Sequence, residues 1–599
     1  MPTSAPKGQQ PLVAAALERI VDPQGSATGN AQGKADAGVA KSSATTPRQR
    51  IGRVISSTGL QVLVLIDTSQ GDAPIALPKI GTNVVLETSD ADIIASVSAM
   101  SCPTPDLESD QNEILIAELE LVGEISEKGT VRGFERGIGA YPVLGDVVAL
   151  PTAIDLSLIY GTNNDKNVRV GLISGVDSIL ATVDSTKLTQ GNFAILGKPG
   201  SGKSCAAVRL VRSFFQQRHS GRVIMFDRHN EHSQSFGRAA HRVPLTSGII
   251  PHWVLTFDEL VHILNLESGE VSQEEIEILE EAIPAAKRLY SQRGVDSRAA
   301  ADSHLIQLDV PVPYKVADLV SYIDKSIHTD NDRTGASHRR LRSRLMMISR
   351  DPRYAFIFGR LSAADNLSVL LSDLFRFPTE GQPVTVVDLS DLTIELADVL
   401  VSVISRLALT VAKWSGGAVP ILLVLEDAHR FVPAISSGAP LTGKILGNIL
   451  GRGRKLGVNV GLISSRPRSV SHDMLEQCGT LFVMRLTNKA DIDAITQVAP
   501  EVASGLMASV STLSQAEAIG MGQGLNVPAR FRFDRLPAEA VPADPARIES
   551  GVLSGEDVSN LDQAFVGHLV DLWRHNGRLT GGGGDAERQS GGEVPPLTT

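Results

Sequence analysis

From Ile51 onward the chain breaks into short apolar runs rich in β-branched residues: GRVISSTG, QVLVLID, TNVVLETS, DIIASVSAM, EILIAELELVGEI and DVVALP. Gly, Pro, Asn or Asp cuts them at intervals, the pattern of strands joined by turns. So many strands within about 100 residues predict a small closed β-barrel over residues 49–175. RGFERGIGAYPVLGD, residues 132–146, reads as a glycine-rich loop before its last strand.

The pattern then changes. FAIL (193–196), the run ending at Asp227, the run ending at Asp388, ILLVL (421–425), VNVGLI (458–463) and TLFVM are continuous apolar stretches, as strands buried on both faces require. Amphipathic helical stretches separate them, so the spacing predicts an α/β domain split into residues 176–255 and 376–536. Between its halves, residues 256–375 carry TFDELVHILNL, QEEIEILEEAIPAAKRLYSQR, VADLVSYIDKSI and SHRRLRSRLMMISRD at 3.6-residue periodicity, which predicts a helical insertion. Residues 1–48 read as a flexible N-terminal tail, with a short amphipathic segment, PLVAAALERIVD, ahead of a Gly/Ala/Ser/Thr-rich linker. Residues 537–599 add a C-terminal helix, NLDQAFVGHLVDLWRHNGR, and a glycine-rich tail.

Composition narrows the class. The 599 residues are 42% hydrophobic and 21% charged, as in globular proteins. No uninterrupted apolar run approaches the roughly 20 residues that span a bilayer, so no membrane partner is expected. The first residues make a poor secretory signal, which sets cytoplasmic residence as the expectation. Cys102, Cys205 and Cys478 are too few and too scattered for a disulfide framework or a zinc site. A net charge of −11 excludes a chain that coats nucleic acid with its whole surface and confines any DNA contact to a local channel.

The chemistry begins at GKPGSGKS, residues 197–204, directly after the FAIL strand and before CAAVRLVRSFF. It satisfies the phosphate-loop pattern at Gly197, Gly202, Lys203 and Ser204, with Pro199, Gly200, Ser201 and Cys205 completing the nucleotide-binding stretch. A glycine-rich turn backed by a helix N-terminus presents consecutive N–H groups to an anion. Lys203 would reach the β- and γ-phosphates of ATP, and the Ser204 hydroxyl would take a place on Mg²⁺. Downstream, ILLVL runs straight into Glu426 and Asp427. Phosphoryl transfer needs one carboxylate at the water shell of Mg²⁺ and one to orient the attacking water, and either of these two can fill the second role. Glu231, just past the strand ending at Asp227, is a further candidate acid. Arg452 and Arg454 are candidates for an arginine reaching the γ-phosphate, in cis or from a neighbouring subunit. Arg339, Arg340, Arg342 and Arg344, in one helical run, can face DNA phosphates, a solvated surface or ion pairs.

The blocks GKPGSGKS, DRHNEH, LVLEDAHRF, GRGRKLGVNVGLISSRP, LEQCGTLFVMRLTN and LSQAEAIGMG, in this order, resemble the HerA branch of the HerA/FtsK P-loop ATPases over about residues 50–535. The resemblance implies a HAS-type barrel before a RecA-like core with a helical insertion. It implies a hexameric ring that hydrolyses ATP between subunits and drives double-stranded DNA through a central pore. It also implies a second protein on the barrel side: a NurA-type nuclease or, in bacterial anti-phage defence, an effector such as a sirtuin-like NADase. The sequence differs from the family at three places. Asp427 is a methylene shorter than the usual glutamate, Ser464-Ser465 replaces Ser-Gln, and Gln190-Gly191-Asn192 stands where some relatives have a basic residue. The acidic order at Glu426-Asp427 and Ser465 sustain an alternative reading, a ring scaffold that regulates an effector with slow or switch-like ATPase activity.

Overall fold

The computed structural model describes residues 48–543, apart from 60, 68–76, 103–114, 129–130, 163–165, 176–177, 218–220, 233, 244–249, 294–305, 328–333, 360–363 and 435–439. The expected N-terminal tail and the C-terminal helix and tail lie outside the described residues.

Seven strands build the N-terminal part: β1 (Arg50–Ser57), β2 (Gln61–Ile66), β3 (Asn83–Glu87), β4 (Asp92–Ser101), β5 (Leu115–Lys128), β6 (Val131–Arg136) and β7 (Val147–Ala149). They lie in the order β2-β1-β7-β3-β4-β5-β6, and a further pairing of β2 with β5 closes the first six into a barrel. Closure leaves no open edge within the ring. Its interior is filled by Ile51, Val62, Val64, Val84, Leu86, Ile93, Leu119 and Val148. The glycine-rich segment expected to be all loop begins instead as β6, a hairpin extension of β5 in which Phe134 pairs with Ile125 and Arg136 with Gly123. Gly123 carries no side chain where a Cβ would strike the Glu135 carbonyl and the Phe134 ring, so the two strands can close up there.

Among the described residues, the larger sheet has eleven strands in the order β12-β13-β11-β14-β15-β10-β16-β17-β18-β8-β9. Here β8 is Asn167–Ile173, β9 Leu180–Asp184, β10 Asn192–Leu196, β11 Arg222–Asp227, β12 Ala240–Val243 and β13 Val384–Asp388. The rest are β14 Ile421–Leu425, β15 Val458–Ser464, β16 Cys478–Met484, β17 Glu517–Gly522 and β18 Ala529–Phe533. The run from β12 to β16 is parallel, and β17, β18, β8 and β9 extend it antiparallel. Strand β8 therefore belongs to this sheet and not to the barrel, whose expected span of 49–175 had included it. The register that recruits it pairs Phe531 with Ile173 and Phe533 with Gly171. Gly171 is what lets the chains approach, because a Cβ there would collide with the Arg532 carbonyl. The barrel is tied to this sheet by Arg136, whose guanidinium donates to the carbonyls of Gly522, at the end of β17, and of Leu525 and Asn526 just past it.

A separate compact unit takes in Pro244–Asp373 with Glu395–Val399. Its helices include Phe257–Ser268, Gln273–Gln292, Val316–Ile327 and Thr334–Arg350. The first two start with capping boxes, Thr256 with Glu259 and Ser272 with Glu275, which satisfy amides the helix itself cannot. Lys287 is buried inside this unit, and its ammonium donates to the carbonyls of Gln307, Leu308 and Val310. Burial pushes that amine down to about 8. No helix among the described residues is long and apolar enough to cross a membrane.

Candidate nucleotide site

In an open parallel sheet the ligand crevice lies beyond the carboxyl ends of the strands. Register places the ends of β10, β15, β14 and β11 side by side: Leu196 opposite Ser464, Leu425 opposite Leu462, and Phe226 opposite Leu425. The expected site residues Gly197–Cys205, Glu231, Glu426 and Asp427 all emerge from these ends. Strand β15 separates the phosphate-loop strand β10 from the acidic strand β14, so Ser464 stands between them.

The phosphate loop is held from below. Gly197 N donates to Ser464 O at 3.3 Å and Lys198 N to Arg485 O at 2.9 Å, while Ala516 N donates to Ser201 O at 3.0 Å. Gly197 is required by space, since a Cβ would sit 2.8 Å from Met484 Cβ and from Ser201 Oγ. Gly202 is required by its backbone, at φ +104°. The helix Lys203–Gln217 then opens with its first amides directed at the crevice. Lys203 Nζ rests on Lys198 O at 3.0 Å. Burial lowers this amine below its ordinary range, against the opposing pull of Asp427, Glu426 and Glu231. All three candidate acids therefore act on the lysine.

The acids differ in environment. Asp227, at the tip of β11, is fully buried and spends its carboxylate on the chain itself: it accepts from the amides of His229, Glu231 and His232 at 3.2, 3.1 and 2.8 Å. Burial and the nearby Glu426 raise it above the usual carboxylate range, while His232 and these amides oppose that rise. The turn it organises aims Glu231 at the Ser204 hydroxyl. Burial and Glu426 raise Glu231 as well, against the lowering effect of His232 and of the Ser204 hydrogen bond. Glu426, 5% exposed, accepts from His232 Nε2 at 2.6 Å. Asp427 is more open. Its backbone is left-handed, φ 48° and ψ 41°, and its Oδ2 lies 3.1 Å from His229 Nε2 and 3.6 Å from Arg430 Nε. His429 Nδ1 lies 3.3 Å from Ser464 Oγ, so a histidine occupies the space over β15. Burial lowers that imidazole, and Arg430, Arg466 and Lys203 add to the effect while Asp427 opposes it.

The donor set suits a hard cation. A serine hydroxyl and the carboxylates of Glu231, Glu426 and Asp427 are oxygen ligands of the kind Mg²⁺ takes while keeping part of its water shell. Asp227, His232 and Glu426 also bring ligand atoms within 4.8 Å of one another. They do not form a soft-metal centre, because Asp227 is consumed by amides and the His232–Glu426 separation of 2.6 Å is that of a hydrogen bond, not of two ligands flanking an ion.

The arginines are distributed differently from expectation. Arg452 and Arg454 project from the end of the helix Leu441–Leu456, which feeds the amino end of β15. Six residue steps of that strand, about 20 Å, separate them from Ser464 and the phosphate loop. A role in cis is thereby corrected: neither side chain spans that distance. Both are exposed. In the helical unit, Arg340 pairs with Glu275 at 3.2 Å and Arg342 with Asp324 at 2.8 Å, while Arg344 donates to Gly269 O at 2.9 Å. Arg339 is exposed. Sequence reading left His229, His232 and His429 without roles, and the sign of them was the recurrence of histidine in DRHNEH and DAHRF beside each acidic strand end.

A phosphate loop, a distal acidic strand and a strand between them define a P-loop ATPase of the RecA-like kind. Comparison with known proteins sharpens the class. The family model for the central domain of helicase HerA matches residues 168–408. The chain is 22% identical to the DNA double-strand break repair helicase HerA of Pyrococcus furiosus, over 76% of this chain and 82% of that protein. It is 22% identical to the helicase of the same name from Sulfurisphaera tokodaii, over 80% and 93%. Among solved structures, VirB4 of Thermoanaerobacter pseudethanolicus is similar over 63% of this chain and 99% of that one, with 17% identity and a TM-score of 0.45. Residues 168–408 thus match the central domain of helicase HerA, and the chain is similar to HerA helicases over most of its length.

Proposed function

We propose that this chain is an ATP-driven translocase of double-stranded DNA, working as a ring of identical subunits, most simply a hexamer, with a second protein seated on the barrel side. The observation that carries the reading is the convergence of an intact phosphate loop, Ser204 and three carboxylates at one sheet edge in a chain whose relatives are DNA repair helicases. Lys203 and the loop amides hold the phosphates of ATP, with Pro199, Gly200, Ser201 and Cys205 shaping the loop. Ser204, Glu426 and Asp427 would hold Mg²⁺, which when bound neutralises charge building on the β- and γ-phosphates. Asp427, the more open of the acidic pair, orients the attacking water, with Glu231 beside it. The transition-state arginine comes from a neighbouring subunit. The exposure of Arg452 and Arg454 and their distance from their own site support that assignment. The exposed apolar loop Tyr141, Val143 and Leu144, laid beside Ile55 by the bond from Gly145 N to Val54 O, supports partner docking on the barrel. That partner is a NurA-like nuclease or a defence effector such as a sirtuin-like NADase, in a cytoplasmic assembly.

The test is steady-state ATP hydrolysis with and without duplex DNA. A translocase is stimulated by DNA, whereas unstimulated slow turnover favours a scaffold that uses ATP as a switch.

A further inference from the structure

We infer that His232 is a positioning residue for ATP hydrolysis, fixing Glu426 through the bond from its Nε2–H to Glu426 Oε1. The inference rests on the ATPase reading of this site and adds a residue that the phosphate-loop and acidic-strand patterns do not contain.

An ionised carboxylate can only accept, so Nε2 must carry the proton in a 2.6 Å contact with Glu426. The imidazole is fully buried, and its Nδ1 has no hydrogen-bond partner among the described residues. The ring is thus committed to one polar contact, the one with Glu426. Its place is rigid on both sides. On one, the His232 amide is pinned by Asp227 Oδ2 at 2.8 Å, and the same carboxylate holds the two neighbouring amides of the turn. On the other, Glu426 leaves β14 in register with β11, with Glu426 N directed at Phe226 O at 3.4 Å. A glutamate has three rotatable side-chain bonds, and burial alone does not select among them. A directional donor does, committing Oε1 to the protein and leaving Oε2 for the cation's water shell. Outer-layer donors of this kind orient the groups that serve a metal. A packing role predicts that any side chain of similar volume will serve, whereas positioning predicts that the donor must sit where Nε2 sits.

The experiment compares His232→Gln, whose amide nitrogen reaches the Nε2 position, with His232→Asn, whose amide falls short, and with His232→Phe. Each is measured as the full-length protein for kcat, KM for ATP, affinity for a fluorescent ADP and melting temperature. We expect kcat to fall about 10- to 100-fold in the Asn and Phe variants, with KM and ADP affinity within about 3-fold of wild type, and His232→Gln to recover most of the rate. Introducing each His232 change into Glu426→Gln should bring no loss beyond that of Glu426→Gln alone, since the effect passes through Glu426. Equal rates in the Gln and Asn variants, or losses that multiply with Glu426→Gln, overturn the inference. Where His232→Phe does not fold, the Asn and Gln pair still decides. Full turnover by Glu426→Gln alone would instead overturn the ATPase site itself, so the two failures are distinguishable.

Discussion

Asp427 combines a chemical role with a backbone that its residue type disfavours, and substitution can separate the two. At φ 48° and ψ 41° it is left-handed, a region that costs most L-residues about 1–2 kcal/mol, Asp and Asn somewhat less, and glycine nothing. Its side chain makes only part-exposed contacts, 3.1 Å to His229 and 3.6 Å to Arg430, which are together worth under about 1 kcal/mol. Asp427→Ala loses those contacts and keeps the strain, while Asp427→Gly loses the contacts and relieves the strain. The glycine variant should therefore be about 1 kcal/mol more stable than the alanine variant, with Asp427→Asn close to wild type. Urea titration at constant m-value measures this as an ordered set of midpoints. Turnover should follow chemistry and ignore the stability order: all three variants lose about 10²- to 10⁴-fold in kcat while retaining ADP binding. Equal stability of the alanine and glycine variants would refute the strained backbone. Near-normal turnover in any of the three would remove Asp427 from the chemistry and return the water-positioning role to Glu426 or Glu231.

Glu517 holds β17 to β18 by accepting from Arg530 at 2.8 and 3.0 Å, with Ser174 Oγ at 2.6 Å and Ser514 N at 2.9 Å. Burial opposes its ionisation, but these partners outweigh burial and hold it down to about 2, against an ordinary 4.5. A depressed acid stabilises fully above its unfolded value and loses that stabilisation as pH falls from about 4.5 through 2. Glu517→Gln should thus cost about 3 kcal/mol near neutrality, and the gap to wild type should narrow when denaturation is repeated toward pH 3. Neutralising Arg340, Arg342 and Arg344 should lower the stability of the helical unit and leave the salt dependence of duplex binding unchanged; a slope reduced by about 1 per arginine would restore them as phosphate contacts. Mixing a Lys203→Ala protein with an Arg452→Ala/Arg454→Ala protein should recover part of the ATPase activity that each lacks, because some interfaces then pair an intact loop with an intact arginine. No recovery would contradict an arginine supplied in trans.

Much of this site was legible because its chemistry is local in sequence. GKPGSGKS needs its glycines for reasons of space and φ that can be read residue by residue, and ILLVL followed by two acids announces a buried strand with its charges at one end. The barrel was legible from strand length and turn residues. What escaped was set by pairing at long range. Nothing in NVRVGLI says that it joins β18 and not the barrel, since both surroundings reward the same apolar alternation, and the deciding Gly171 contact lies more than 350 residues away in sequence. RGFER reads as loop because its glycine and charges dilute a strand that only its partner β5 defines. The histidines escaped for a related reason: an isolated histidine carries no pattern until a fold sets it 2.6 Å from a carboxylate. The arginines of the Thr334–Arg350 helix show the converse, where a run that fits a nucleic-acid surface finds several of its partners inside its own unit.

The most direct test of the central claim is displacement of a third strand annealed to duplex DNA, monitored with hydrolysable ATP for the wild-type protein and for Glu426→Gln. The account predicts displacement by wild type that requires ATP hydrolysis and disappears in the variant, with duplex binding preserved. Robust ATP hydrolysis without displacement, under conditions where the duplex is bound, would contradict translocation.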